Sequence, residues 1–183
     1  MRNMIFGMAL GLFMLGLAGC ATEPKSDEAK ATLHDDVQAT INQFMREDTG
    51  FRDFLDKGHG YVVFPSVGKG GLGVGGAFGR GEVYENGKMI GFASLTQASI
   101  GLQAGGQTYS EVIVFENSDA LNKFKNNKLE FSAQASAVAL KSGASAQARF
   151  ENGVAVFTKP KGGAMLEASI GGQKFNFKPA EGR

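Results

Sequence analysis

The chain is expected to adopt an α+β fold, predominantly antiparallel β (barrel-like or sandwich) with N-terminal amphipathic helices packed on the sheet. Three observations predict it. Apolar residues recur at helical spacing near the N-terminus, the period changes to two from Tyr61 onward, and Asn-Gly pairs punctuate the β-like runs at Asn86-Gly87 and Asn152-Gly153.

Arg2 supplies a positive start, Met4 to Leu17 form an apolar run too short for a comfortable membrane span, and small residues precede Cys20. Residues 1–19 therefore read as a signal peptide rather than part of the fold. Leu17-Ala18-Gly19-Cys20 resembles the bacterial lipoprotein box, in which diacylglycerol is attached to the thiol before cleavage. The resemblance implies that Cys20, the one cysteine in the chain, is a lipidation site carrying palmitate-like acyl chains. Several such chains, at about 0.8 kcal/mol per buried methylene, make anchoring permanent. Residues 20–30, small, polar and charged, suit a mobile lipidated tether. Residues 31–183 are long enough for one domain with a real core and too short for two. With its thiol acylated, that domain has no disulfide to lean on.

Within the domain, Leu33, Val37, Ile41, Phe44 and Met45 recur at three- and four-residue spacing opposite His34, Asp35, Asp36, Gln38 and Asn42, the pattern of an amphipathic helix. A second short helix turns Phe51, Phe54 and Leu55 inward and ends at Gly58 and Gly60. Asn86-Gly87 and Asn152-Gly153 each favour a type I′ turn, so two hairpins are expected. Glu111-Val112-Ile113-Val114-Phe115 lacks polar alternation and reads as a central strand covered on both faces. Ser118-Asp119 offers an N-cap for a short helix carrying Leu121 and Phe124. From Phe131 the β alternation resumes, with Ala133, Ala135, Ala137 and Ala139 on one face and Ala144, Ala146 and Ala148 continuing it. Such small side chains leave room for the chain's own helix, a second layer or an apolar ligand. Ala98-Ser99-Ile100-Gly101 recurs as Ala168-Ser169-Ile170-Gly171, and Gly105-Gly106-Gln107 as Gly171-Gly172-Gln173, a recurring strand-and-turn chemistry with no solenoid period.

Nineteen basic against eighteen acidic residues give a net charge of +1, so there is no overall field to attract nucleic acid. Gly71, Gly73 and Gly76 form a G-x-G-x-x-G, but a dinucleotide site needs a helix to open directly after the glycines, and Ala77 to Tyr84 continues as β. Lys69 is followed by Gly70 rather than Ser or Thr, which excludes a P-loop. His34 and His59 have no ligand-spaced partners, so neither a metal nor another cofactor is expected. No G-x-S-x-G elbow is present, and Glu82, Glu111 and Glu167 read as solvated or salt-bridged strand residues; the chain does not read as an enzyme. Glycine at alternate strand positions strips side chains from one face and permits close approach of a backbone or a lipid chain. The bases Lys57, Lys69, Arg80 and Lys88 lie around that segment, as solvated surface or as contacts to a phosphate. Lys69, Gly71, Gly73, Gly75, Arg80 and Lys88 are the candidate lipid-binding residues.

Gly60-Tyr61-Val62-Val63-Phe64-Pro65, the run Gly71 to Tyr84, and above all Gln97-Ala98-Ser99-Ile100-Gly101-Leu102-Gln103-Ala104-Gly105-Gly106-Gln107 resemble the SYLF domain family over about Ala29 to Phe177. Bacterial members are commonly described as lipid-binding lipoproteins, and eukaryotic relatives, including a yeast actin-binding protein, are associated with phosphoinositide membranes and actin. The resemblance implies a phospholipid-binding module, its partner a membrane phospholipid with an anionic or phosphoinositide-like headgroup. This chain shows neither a Src-homology-3 domain nor a strongly basic helix, since Asp35 and Asp36 sit on the polar face of the first helix. Ala21 stands where an Asp would favour inner-membrane retention, so attachment to the outer membrane facing the periplasm is expected. The alternative is an envelope structural or interaction lipoprotein with no ligand of its own.

Overall fold

The computed structural model describes residues 22–131, 137–163 and 170–180, and of 72–74, 99–104 and 163 the backbone alone. Helix α1 runs Asp27–Glu47; the Ser26 hydroxyl accepts from the Ala29 N–H, Asp27 and Glu28 occupy the first turn and Arg46 the last, complementing the helix dipole at both ends. The expected mobile tether is therefore shorter. Its second half is the first turn of α1, Thr22 Oγ1 lies 3.0 Å from Ser94 Oγ, and Glu23 pairs with Lys30 at 2.6 Å and with Lys178. Asp48 ends α1, and its carboxylate accepts from the backbone of Gly50 at 3.1 Å and of Ser145 at 2.6 Å, fixing where α2 (Phe51–Lys57) begins.

Strands β1 (Gly60–Glu85) and β2 (Lys88–Phe115) form one long antiparallel ribbon, paired from Gly60↔Phe115 to Glu85↔Lys88. Asn86 and Gly87, at φ 50 and 74, make the tight turn between them. After α3 (Ser118–Lys125), β3 (Val138–Ala139) and the single turn α4 (Ala144–Gln147), the last strands β4 (Val154–Gly163) and β5 (Gln173–Pro179) flank the ribbon. Strand β4 pairs with the second half of β2 and β5 with its first half, while β3 lies parallel to β4. Glu111–Phe115 is thus central, as its unbroken apolar pattern indicated.

The ribbon folds back on itself. A Cβ at Gly81 would lie 2.1 Å from the Val63 carbonyl oxygen, one at Gly79 would lie 2.9 Å from Val67, and one at Gly60 would lie 2.5 Å from the Tyr84 carbonyl oxygen. The two halves of β1 therefore run against each other and close a barrel-like body. Only residues without a side chain permit that approach. Inside lie Val62, Phe64, Val67, Leu95, Ile113, Phe115 and Phe175, with Leu121 and Phe124 of α3 plugging the Asn86 end. A second apolar layer, including Val37, Phe44, Phe51, Phe54, Val112, Val114 and Phe157, joins α1 and α2 to the outer face. Each such fully buried side chain contributes about 1.5–3 kcal/mol by its removal from water.

The alanine series corrects the sequence reading. Ala137 and Ala139 flank or enter a two-residue strand, and Ala144, Ser145 and Ala146 form α4 after Gly143 at φ 77, because alanine prefers helix once no β-branched neighbour opposes it. Ala144 and Ala148 are buried within the protein's own packing; Ala133 and Ala135 lie outside the described residues. The short helix α3 is capped by Asn117, one residue before the expected cap. At Asn152-Gly153 the turn forms, at φ 53 and 82, but its first arm is the single bridge residue Glu151 rather than a strand.

Candidate functional site

Three strands change character at the same level of the barrel. Inward positions run Val62, Phe64, Val67 and then Lys69 in β1; Phe115, Ile113 and then Glu111, Tyr109 and Gln107 in β2; Phe175 and then Gln173 in β5. The interior therefore grades from the apolar plug under α3 to a polar cluster at the glycine-rich end. Lys69 and Gln107 face each other in register, 5% and 9% exposed.

Glu111 is fully buried. Its Oε2 accepts from Gln173 Nε2 at 2.9 Å, and the same amide nitrogen lies 3.3 Å from the Tyr109 hydroxyl. Burial pushes the Glu111 carboxyl up to about 8, opposed by the Gln173 bond and the charge of Lys69. Burial likewise holds the Lys69 ammonium below its ordinary value, opposed by Glu111, and pushes the Tyr109 hydroxyl up. Glu111 Oε1, Gln173 Oε1 and Gln107 Nε2 have no hydrogen-bond partner among the described residues. A buried polar atom left so costs roughly 1–3 kcal/mol, and native interiors hold few of them. Three within the polar part of one interior mark a place where packing is not the purpose.

Lys69 and Gln107 open onto a shallow cleft of about 410 Å³ whose remaining lining is Gly68, Gly106, Thr108 and Gly162. A Cβ at Gly68 or Gly162 would meet nothing within 4 Å, and one at Gly106 nothing nearer than 3.6 Å. The residues of the cleft bring an ammonium and a hydroxyl beside bare backbone with no carboxylate, which is the chemistry of an anion site.

The other candidate residues do not all gather there. Gly71, Gly73 and Gly75 continue β1 beyond Lys69, with Gly71 opposite Gly105 and Gly75 opposite Ser99. Arg80 is exposed, its guanidinium 5.3 Å over the Phe78 ring, beside a separate cavity of about 310 Å³ lined by Pro24, Leu33, Asp36 and Pro65 among others. Lys88 is exposed at the opposite end of the ribbon, next to the Asn86-Gly87 turn. Cys20 lies outside the described residues.

Against the expectation of a solvated or salt-bridged strand residue, Glu111 is fully buried, whereas Glu82 pairs with His34 as that expectation allows. Glu82, 2% exposed, faces α1, where its Oε2 accepts from the Tyr84 hydroxyl at 2.6 Å and lies 3.1 Å from His34 Nδ1, while Gln38 Nε2 donates to the Tyr84 oxygen at 3.0 Å. That network ties helix to sheet. Glu167 lies outside the described residues. Among the described residues no group of three or more His, Cys, Asp or Glu is placed to hold a metal ion, and no helix is long and apolar enough to cross a membrane. The run after Gly71-x-Gly-x-x-Gly76 is strand through Glu85, without the helix that a dinucleotide site requires.

The residues that sequence reasoning missed are Gln107, Glu111 and Gln173. A signal for two of them was present: the repeated Gly-Gly-Gln ends at Gln107 and at Gln173, and both amides enter the polar interior.

Comparison with known proteins agrees with the motif. A curated relative, beta cell expansion factor A of Aeromonas veronii, is 28% identical over 154 residues, covering 81% of this chain and 57% of the relative, so the chain spans little more than half of that protein's length. The family model described as "Ysc84: Las17-binding protein actin regulator" matches residues 96–181, opening at the Gln97–Gln107 motif. Residues 96–181 thus carry a match to the Ysc84 (SYLF) family model, whose description names binding and regulation.

Proposed function

We propose that this protein is an exported bacterial lipoprotein, acylated at Cys20, held at the outer membrane facing the periplasm, whose glycine-rich ribbon end binds phospholipid through an anionic headgroup. One observation carries the reading: the buried, donor-bearing Lys69 and Gln107 open into a cleft walled by bare glycine backbone. A second supports it. No charged residue occurs between Lys69 and Arg80 or between Lys88 and Glu111, so the whole ribbon end can approach hydrocarbon without desolvating a further charge. A phosphate held by Lys69 gains a charge-assisted bond in a partly dry site.

Flotation of the chain from Ala21 onward tests the reading. Retention on phosphatidylglycerol vesicles at low salt, above that on phosphatidylcholine, is the expected result, and equal absence from both removes it. Mass analysis of the envelope protein should find acyl chains on Cys20.

A second reading, an envelope interaction protein without a ligand of its own, is favoured by the way Gly79, Gly81 and Gly91 are filled by the protein's own backbone and rings. Crosslinking to a protein or peptidoglycan partner, with no lipid copurifying, would favour it.

A further inference from the structure

Lys69 serves two places. It lines the cleft, and it is the described cation whose charge reaches the buried Glu111. The described groups facing Glu111 are Lys69 from β1, Tyr109 from β2, Gln173 from β5 and Thr158, its register partner, from β4; Lys69 is the one cation among them. An anion arriving in the cleft and an ionised Glu111 would both lie within reach of the Lys69 charge in a low-dielectric interior, where two negative charges repel strongly. Glu111 has an outlet. Gln173 occupies Oε2 and leaves Oε1 unpartnered, so a proton can sit there without breaking an existing bond.

Resting on the reading of the cleft as a headgroup site, we infer that Glu111 is the internal competitor for Lys69, and that capture of a phosphodiester anion is coupled to uptake of one proton by Glu111. The balance is simple. Above the pH at which Glu111 ionises, the Lys69 charge acts on the Glu111 carboxylate before capture; afterwards it acts on the anion, Glu111 is neutral, and the proton has come from solvent. The phosphodiester could belong to a lipid headgroup or to a free soluble one, with the same chemistry at the cleft.

Burial pushes the carboxyl up to about 8, so the competent, neutral form dominates at neutral pH and falls to about one part in eleven one unit above that value, weakening apparent affinity about tenfold. The experiment is a titration of the chain from Ala21 onward, which keeps every described residue, against phosphatidylglycerol vesicles, phosphatidylcholine vesicles and glycerophosphoglycerol. Each is measured at about pH 6.5 and about pH 9, for the unaltered chain and for Glu111→Gln.

Expected is about a tenfold loss of phosphatidylglycerol affinity for the unaltered chain at the higher pH. Glu111→Gln should lose distinctly less, any titration of Lys69 being common to both. Calorimetry of the unaltered chain in two buffers of different ionisation enthalpy should show uptake of close to one proton at the higher pH, a readout that stands even if the variant fails to fold. Parallel losses in the two proteins, or no proton uptake, overturn the inference while leaving headgroup binding intact. Failure of both phosphatidylglycerol and glycerophosphoglycerol to bind at the lower pH overturns the headgroup reading and the inference with it. Binding of glycerophosphoglycerol as tightly as of the vesicles assigns the cleft to a soluble phosphodiester.

Discussion

Two sets of glycines in the same sheet do opposite things. At Gly79, Gly81 and Gly91 an added Cβ would sit 2.9, 2.1 and 2.4 Å from its nearest neighbour, whereas at Gly68 and Gly162 it would meet nothing within 4 Å. The first set lets the barrel close on itself. The second leaves backbone bare where the buried Lys69 and Gln107 line the cleft. Composition cannot separate them, since both read as glycine in β pattern. What separates them is the distance to the protein's own atoms, and with it whether the absent side chain belongs to packing or to a ligand.

Gly81→Ala should break the contrast most severely. The obstacle is the Val63 carbonyl rather than a flexible side chain, so a loss above about 4 kcal/mol, or failure to fold, is expected in urea unfolding. An unchanged midpoint would mean that the two halves of β1 are not in contact.

Glu111 gives the next effect. Its folded-state pKa is raised to about 8 from 4.5, so its contribution to stability is fully present below the unfolded value and is lost as pH rises through the folded one. Between those limits the chain should lose roughly 3–5 kcal/mol of unfolding free energy from this group, and Glu111→Gln should flatten that slope.

Lys69→Gln should lower phosphatidylglycerol affinity by about tenfold or more, the worth of a charge-assisted bond, without lowering the melting temperature. Lys88→Gln, at the far end of the ribbon, should change affinity by less than about twofold. Equal effects would dissolve the distinction between the two ends.

The smallest change is expected at the open glycines. Gly68→Ala should alter stability by no more than about 1 kcal/mol in either direction, yet reduce vesicle binding measurably by covering the backbone. If it unfolds the protein, the open set belongs with the packed one.

Much of this body was legible from local pattern. The helices at Leu33–Met45 and Phe51–Leu55 and both Asn-Gly turns follow from periodicity and turn chemistry, which act over a few residues. The return of β1 onto itself was not legible, because it depends on register between Gly60, Val63, Gly79, Gly81 and Tyr84, far apart in sequence. The alternating alanines at Ala144, Ala146 and Ala148 fit either period, so their pattern alone does not reveal the helical turn Ala144–Gln147. Of the candidate residues, Lys69 lines the cleft beside Gly68, Gly106 and Gly162 rather than Gly71, Gly73 and Gly75, and Arg80 and Lys88, near it in sequence alone, lie elsewhere. Glu111 reads from sequence as solvated or salt-bridged because a carboxylate in a strand ordinarily faces water; here the inward parity of β2 overrides that preference.

The docking of Thr22, Glu23 and Pro24 against Ser94 and Lys178 fixes how high the body can ride. Two steps of chain separate Cys20 from Thr22, and at no more than about 3.6 Å each they span about 7 Å. That is comparable to the headgroup layer of one leaflet, roughly 5–7 Å. With Cys20 acylated, the flank carrying Ser94 and Lys178 would rest on the bilayer surface, and the short leash would dictate which side of the molecule looks out into the compartment.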